Sequence, residues 1–272
     1  MAYNLLKGKR GIMTGALDQN SIAWKVAEKA HEEGATFVLT NAPIAMRMGE
    51  INGLAEKTNS KIIPADATSV EELTNLFTES QQILGGKIDF VLHSIGMSVN
   101  IRKKIAYPEL NYDYYAKGVD VSAMSLHKML SVAYNMDALN EEASVVALTY
   151  AAAQRTYPFY TDMADIKALL ESIARSFGYH YGLKNRVRVN TVSQSPTKTT
   201  AGTGIKGFGD FFDYANAIAP LGNASAEDCA NYCITLFSDL TKMVTMQNLF
   251  HDGGYSTTGV SDLIMKKAGI AE

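Results

Sequence analysis

A single α/β domain built on a doubly wound, mostly parallel sheet of seven strands is the fold this chain predicts. Three observations carry the prediction. Seven short β-like runs recur, with helical patterns between most of them. Several of the runs, such as FVLT, DFVLHS and SVVALTY, are continuously apolar, as strands covered on both faces are. Finally, 272 residues without a Pro- or Ser-rich linker, internal repeat or low-complexity stretch suit one core of ordinary size, spanning 1–272.

The first strand is expected at Arg10–Thr14, followed by a helix from Ser21 whose Ile22, Val26, Ala27 and Ala30 share a face until Gly34 stops it. The second and third strands fall at Thr36–Thr40 and Lys61–Pro64, the fourth at Ile88–Ser94. The fifth, Ser144–Tyr150, precedes a long helix opened by YTDMADIK; the sixth and seventh are Arg186–Val192 and Met246–His251. Strands alternating with helices predict right-handed crossovers and a Rossmann-like sheet. Ligands of such sheets bind beyond the carboxyl ends of the strands, where the strand order reverses. Each unusual short motif of this chain falls at such an end.

Composition narrows the function. The chain is 47% hydrophobic and 19% charged, which is globular, and its formal net charge of −3 gives no basic face for nucleic acid. No apolar run approaches the ~20 residues of a membrane span, and the N-terminus carries no signal-type apolar region. Cys229 and Cys233, the only cysteines, sit four apart in an apolar helical stretch and read as core thiols, not as metal ligands. A reducing, cytoplasmic setting fits best, with no metal.

The most informative pair is Tyr160 and Lys167, in YTDMADIK (160–167). On a continuous helix, positions seven apart lie about two turns along one face, roughly 10 Å apart at the backbone. A phenol there can donate to a developing oxyanion, and a nearby ammonium can steady it while gripping a cofactor hydroxyl. Taken alone, the pair is equally an ordinary Tyr and Lys on an amphipathic helix. Tyr150 ends the fifth strand ten residues before Tyr160, so two tyrosines border one cavity or one of them is a common strand-end residue.

Weaker signals mark a dinucleotide. Gly15 follows the first strand, and glycine lets the backbone approach a pyrophosphate at a helix N-terminus. No GxGxxG is present, and Ser21 either caps the helix or contacts phosphate. After the second strand, Asn41-Ala42-Pro43 offers neither the cation of a 2′-phosphate site nor the usual acid; NADH is favoured over NADPH, with Arg47 near enough to be recruited. Asp66 either accepts from an adenine amino group or makes a turn with Ala67 and Thr68. In HSIGMS (93–98), Gly96 lets backbone lie against the cofactor or forms a tight turn, and His93 reads as a packed core histidine. After the sixth strand, SQSPTKTTAGTGIKGFGDFF (193–212) is either a flexible loop or a cover that excludes water. Phe208, Phe211 and Phe212 favour a lid over 195–212 that hides an apolar substrate.

This combination resembles the short-chain dehydrogenase/reductase superfamily, and within it the bacterial NADH-dependent enoyl-acyl-carrier-protein reductases. The superfamily's Tyr-x3-Lys occurs here only as Tyr3 to Lys7, ahead of the first strand. The enoyl reductases carry Tyr-x6-Lys, matched by Tyr160 to Lys167, with a second tyrosine ten residues upstream, matched by Tyr150. Their phosphate turn ends in Ser-Ile-Ala, as at Ser21-Ile22-Ala23, and HSIG (93–96), RVN (188–190), Pro196 with Thr199, and HDGG (251–254) extend the match from Leu5 to Tyr255.

The resemblance implies the roles. Tyr160 would stabilise an enolate, Lys167 would hold the nicotinamide ribose, and Tyr150 would line the substrate cavity with Ser98. Gly15, Ser21, Ile22, Ala42, Asp66, Ala67, Ser94, Ile95, Gly96, Lys167 and Thr197-Lys198-Thr199-Thr200-Ala201 would contact NADH. It also implies acyl carrier protein as partner, with the substrate an enoyl thioester of fatty acid biosynthesis, and a homotetramer. Two features depart from the pattern: Ser195-Pro196 stands where many relatives have Gly-Pro, and Asp165 puts an acid on the catalytic helix where an apolar residue is expected. The segment Lys206-Gly207-Phe208-Gly209-Asp210 is also less basic than in many relatives, which leaves the carrier-docking patch open.

Overall fold

The computed structural model describes residues 2–47, 50–203 and 207–270. Seven strands form one sheet in the order β3-β2-β1-β4-β5-β6-β7. They are β1 (Arg10–Thr14), β2 (Thr36–Thr40), β3 (Lys61–Ile62), β4 (Ile88–His93), β5 (Leu139–Thr149), β6 (Arg188–Gln194) and β7 (Asn248–His251). Every neighbouring pair is parallel, so the sheet is fully parallel where the sequence predicts only mostly parallel. The order turns back between β1 and β4, which opens a crevice above their carboxyl ends.

Helices α1 (Ile22–Glu32), α2 (Pro43–Met46), α3 (Ile51–Thr58) and α4 (Val70–Leu84) lie between the first four strands; α5 (Val99–Arg102), α6 (Tyr112–Val119) and α7 (Ser125–Asn135) lead to β5. After β5 come α8 (Thr161–Asn185), α9 (Thr200–Thr203), α10 (Phe208–Ile218), α11 (Ala226–Phe237) and α12 (Asp262–Lys267). Strand alternation divides the core between two faces. Ile12, Val38 and Val91 pack with Phe77, Leu126, Ile166 and Leu170 on one side. Met13, Leu39 and Leu92 pack with Trp24, Cys229, Cys233 and Phe237 on the other. The two thiols are buried and unpaired. None of the described helices is long and apolar enough to cross a membrane.

Strand bounds depart from the sequence expectation for local reasons. β5 starts at Leu139, but Glu142 at φ 61° and a register shift between Ile88 and Phe90 break the alternation, so only the stretch from Ser144 reads as strand. Arg186 takes a left-handed conformation to end α8, which delays β6 to Arg188. The segment 193–212, expected as a flexible loop or a cover, holds α9 and the start of α10. Lys206 of that segment lies outside the described residues.

Candidate active site

The first βα turn is shaped by Gly15. Its φ is +85°, and a Cβ there would stand 1.9 Å from the Ser94 carbonyl oxygen, so the turn closes against β4 only with glycine. Of the two sequence alternatives for Ser21 the cap is not observed, because its hydroxyl makes no cap bond to α1. It accepts from the Leu17 and Asp18 amides at 3.1 and 3.2 Å and donates to the Asp18 carbonyl, folding the loop onto itself. The amides of Ile22 and Ala23 belong to the open first turn of α1, where an anion is favoured. Asn41 joins the first and second turns: its amide donates to the Ala16 carbonyl at 3.2 Å and its oxygen accepts from Ala42 N at 2.9 Å.

Gly15, Ala42, Asp66, Ala67 and Ile95 all line one cleft above β1 and β4. Asp66 does make the turn, its Oδ1 accepting from the Thr68 amide and hydroxyl at 2.8 Å each. Arg47 is exposed at the end of α2.

The chemical groups gather at the ends of β4 and β5. Lys167 is buried, and its ammonium donates to the carbonyls of Ile95 (3.0 Å) and Leu148 (2.9 Å), one from each strand's end. Gly96 lies beside it, a Cβ there falling 3.9 Å from Lys167 Cε. Tyr160 is buried with its ring 4.6 Å from that of Tyr150. The expected single helical stripe needs correction, however. α8 starts at Thr161, Tyr160 is its N-cap, and Thr161 sits at φ 43° in the left-handed region. The phenol therefore stands off the helix that carries the amine. Tyr157, Phe159, Tyr160, Phe211 and Tyr255 form an aromatic box, with Phe211 of α10 5.1 Å from Tyr157 and 6.1 Å from Tyr160.

Burial sets the electrostatics. It pushes the Tyr160 phenol up to about 12, and Tyr150 well above the usual range, so both hydroxyls are proton donors near neutrality. The Tyr150 hydroxyl oxygen is buried and has no hydrogen-bond partner among the described residues. Burial lowers the Lys167 ammonium to about 8, against the pull of Glu171 one turn on. Glu171 is itself buried, which raises its pKa, and it accepts from Thr149 (2.9 Å) and Gln154 (2.8 Å). His93 is a packed core residue, 2.8 Å from Ser125 through Nε2; burial, then the Lys167 charge, lowers it to about 3.

The loop after β4 carries Ser94, Ile95, Gly96 and Ser98. Ser122, in a wide helical turn spanning Asp120–Met124, clamps it by accepting from Met97 N at 2.7 Å and donating to Met97 O at 3.0 Å. Ser98 caps α5 and donates to Asp162 at 2.6 Å. At the end of β6, Gln194 holds Thr197 (3.1 Å) and receives His251 (2.7 Å). Thr199 accepts from Gly202 N at 3.0 Å, Thr200 bonds the Asp18 carboxylate, and Ala201 lies in α9. Lys198 points elsewhere, its ammonium 4.4 Å from the Phe212 ring centroid. Asp165 gains a physical account: it accepts the hydroxyls of Tyr107 (2.9 Å) and Tyr115 (3.3 Å). Sequence reasoning missed Asp162, Glu171 and Ser122, and of these only Glu171 left a signal, its four-residue spacing from Lys167.

Comparison with known proteins agrees with this geometry. Residues 15–256 match the family model described as enoyl-(acyl carrier protein) reductase. The chain is 32% identical over 266 residues to the enoyl-[acyl-carrier-protein] reductase [NADH] FabI of Rickettsia bellii, covering 97% of this chain and 100% of that protein. Its structure is similar to a FabI–NADH complex from Alistipes finegoldii, with TM-score 0.96 and 61% identity over 97% of this chain and 93% of the other. The corresponding reductase from Aquifex aeolicus aligns with TM-score 0.87 at 28% identity, over 94% of this chain and 99% of that one. A match across nearly the whole domain, in sequence and in structure, leaves one conclusion: the chain belongs to the enoyl-(acyl carrier protein) reductase family.

Proposed function

We propose that this protein is an NADH-dependent enoyl-acyl-carrier-protein reductase, an oxidoreductase that reduces trans-2-enoyl thioesters to saturated acyl thioesters in fatty acid biosynthesis. The single observation that carries the reading is that Tyr160 packs on Tyr150, the residue after β5, while Lys167 donates to the carbonyls of Leu148 in β5 and of Ile95, which lines the cleft that begins at Gly15.

The residues present fit NADH. Gly15 lets the first turn close on the Ser94 carbonyl before the open end of α1, where a pyrophosphate would sit, and Ile22 amide, Ala42, Asp66, Ala67 and the Ser94-Ile95-Gly96 loop would follow the cofactor. Lys167 would hold the nicotinamide ribose, with Thr197, Thr199, Thr200 and Ala201 closing over the carboxamide side; Ser21 and Lys198 serve the loops around the cofactor. When bound, NADH supplies the hydride for the β-carbon of the substrate.

Charge then builds on the thioester oxygen. Tyr160, protonated near neutrality, donates to that oxygen and favours the transition state over the ground state. Tyr150 lines the cavity, and its unpartnered hydroxyl is available to the same oxygen or to a neighbouring water. Ser98 holds the loop along which the thioester lies. The enolate takes a proton at its α-carbon to give the saturated chain. The aromatic box receives the acyl chain, and 195–212 acts as its lid.

We assign acyl carrier protein as the partner that delivers the substrate, with the enzyme a cytoplasmic homotetramer. Unpaired Cys229 and Cys233 suit the compartment, and exposed apolar Tyr179 and Leu183 on α8 suit an interface between copies. A spectrophotometric assay with crotonyl-CoA or an enoyl carrier thioester, following NADH and NADPH separately, tests the reading. NADH consumption is expected; turnover of ketones in place of enoyl thioesters, or NADH binding without turnover, overturns it.

A further inference from the structure

Asp162 is fully buried at the second position of α8, yet its side-chain partners are all neutral. Its Oδ1 accepts from Ser98 Oγ at 2.6 Å and Thr161 Oγ1 at 3.0 Å, and its Oδ2 accepts from Asn100 Nδ2 at 2.8 Å. A carboxylate taken out of water without a cation persists only where donors replace the lost hydration. Three side-chain donors and the positive end of α8 do so here.

The partners come from separate parts of the site. Ser98 belongs to the loop after β4 and also accepts from Ile101 N at 3.0 Å. Asn100 is gripped from behind by the Asn111 backbone, accepting from its amide and donating to its carbonyl at 3.2 Å each. Thr161 follows Tyr160 directly. It is β-branched, buried and held at φ 43°, a conformation such residues avoid unless their surroundings impose it. Were Thr161 to relax to ordinary helical angles, Tyr160 would join α8 and its ring would swing about the helix axis. The Thr161 hydroxyl bond to Asp162 opposes that relaxation.

We infer that Asp162 is a positioning residue for the reduction: its hydrogen bonds from Ser98, Asn100 and Thr161 lock the turn that presents the Tyr160 phenol beside the Tyr150 ring. The inference rests on the reductase reading above, in which Tyr160 is the oxyanion donor. No sequence motif marks this acid.

Asp162→Asn tests it. The new amide can keep its oxygen on Ser98 and Thr161 only by setting its NH2 against the Asn100 NH2. Misplacing a catalytic group by ~1 Å costs on the order of 10²-fold. The expected result is a kcat for crotonyl-CoA lowered roughly 10- to 100-fold, with NADH affinity within about twofold of wild type. Asn100→Asp added to Asp162→Asn reverses donor and acceptor between the two side chains but leaves the Asn111 carbonyl without its donor, so a partial recovery of the rate is expected. A crystal structure of Asp162→Asn supplies a readout independent of turnover, with Thr161 leaving the left-handed region and the Tyr160 hydroxyl displaced. Unchanged kcat, an equal loss of kcat and NADH affinity, or an unmoved Thr161 and Tyr160 would each overturn the proposal. If Asp162→Asn does not fold, Thr161→Ala, which removes one donor, carries the same measurements. Wild type inactive on every enoyl thioester would instead remove the reductase reading, and the crystallographic arm would still decide the role of Asp162.

Discussion

The Thr200 hydroxyl is hydrogen-bonded to the Asp18 carboxylate, joining the segment after β6 to the first βα turn across 182 residues of chain. Thr200 is among the residues proposed to contact NADH and Asp18 precedes Ser21 by three positions, so the bond is expected to help retain the cofactor. Asp18→Ala or Thr200→Val removes a bond to a carboxylate, worth about 1.5–3 kcal/mol when buried and less at this partly buried site. NADH is expected to dissociate roughly 5- to 30-fold faster, a change of ~1–2 kcal/mol. Stopped-flow NADH fluorescence measures this, and an unaltered off-rate would show that the bond plays no part in retention.

Tyr160→Phe keeps the ring and its packing on Tyr150 while deleting the donor. Loss of one preorganised oxyanion donor lowers kcat on the order of 10²–10³-fold. NADH affinity should hold. Retention of more than half the wild-type rate would take Tyr160 out of the mechanism.

Lys167 makes the protein pH-sensitive on the alkaline side. Burial lowers its pKa to about 8 from the usual 10.5. Below pH 8 the folded and unfolded chains both carry the proton. Between about 8 and 10.5 only the unfolded chain does, so it binds more protons and this residue's contribution to stability rises with pH. NADH binding should run the other way, weakening through about pH 8 as the ribose loses its cation. Glu171→Gln removes the charge that holds the value up and should move that alkaline limb to lower pH. Affinities measured across pH in both proteins decide the matter; superimposable curves would sever Glu171 from Lys167.

Gly15→Ala meets two obstacles, a φ of +85° and a methyl 1.9 Å from the Ser94 carbonyl. The turn must move, at about 2–4 kcal/mol by comparison with other strained or overpacked sites. A melting temperature lower by roughly 5–15 °C is expected at this chain length, together with weakened NADH binding. A fully stable variant would mean that the turn has slack the structure does not reveal.

Local signals were legible in the sequence. Gly15 after an apolar strand, the helix expected from Ser21 and the Tyr160/Lys167 pair each announce themselves within a few residues, and the expected bounds of β1 and β2 coincide with the observed ones. What escaped depends on distant partners. Asp162 resembles any first-turn acid until Ser98 and Asn100, 64 and 62 residues away, close around it. Ser21 has the composition of a cap, but the Asp18 turn claims its hydroxyl. Thr161 at φ 43° runs against its own propensity, so no local rule would have broken the helix there.

That break changes what the spacing in this motif means. Since the phenol precedes the first residue of the helical repeat, the number of residues between tyrosine and lysine is not a ruler for the gap between hydroxyl and amine. Here the bend at Thr161, and not the helical repeat, sets where the phenol stands relative to the helix that carries the amine. Scanning for such enzymes by helical periodicity alone would overlook those that fold a corner into the motif, and this chain is one of them.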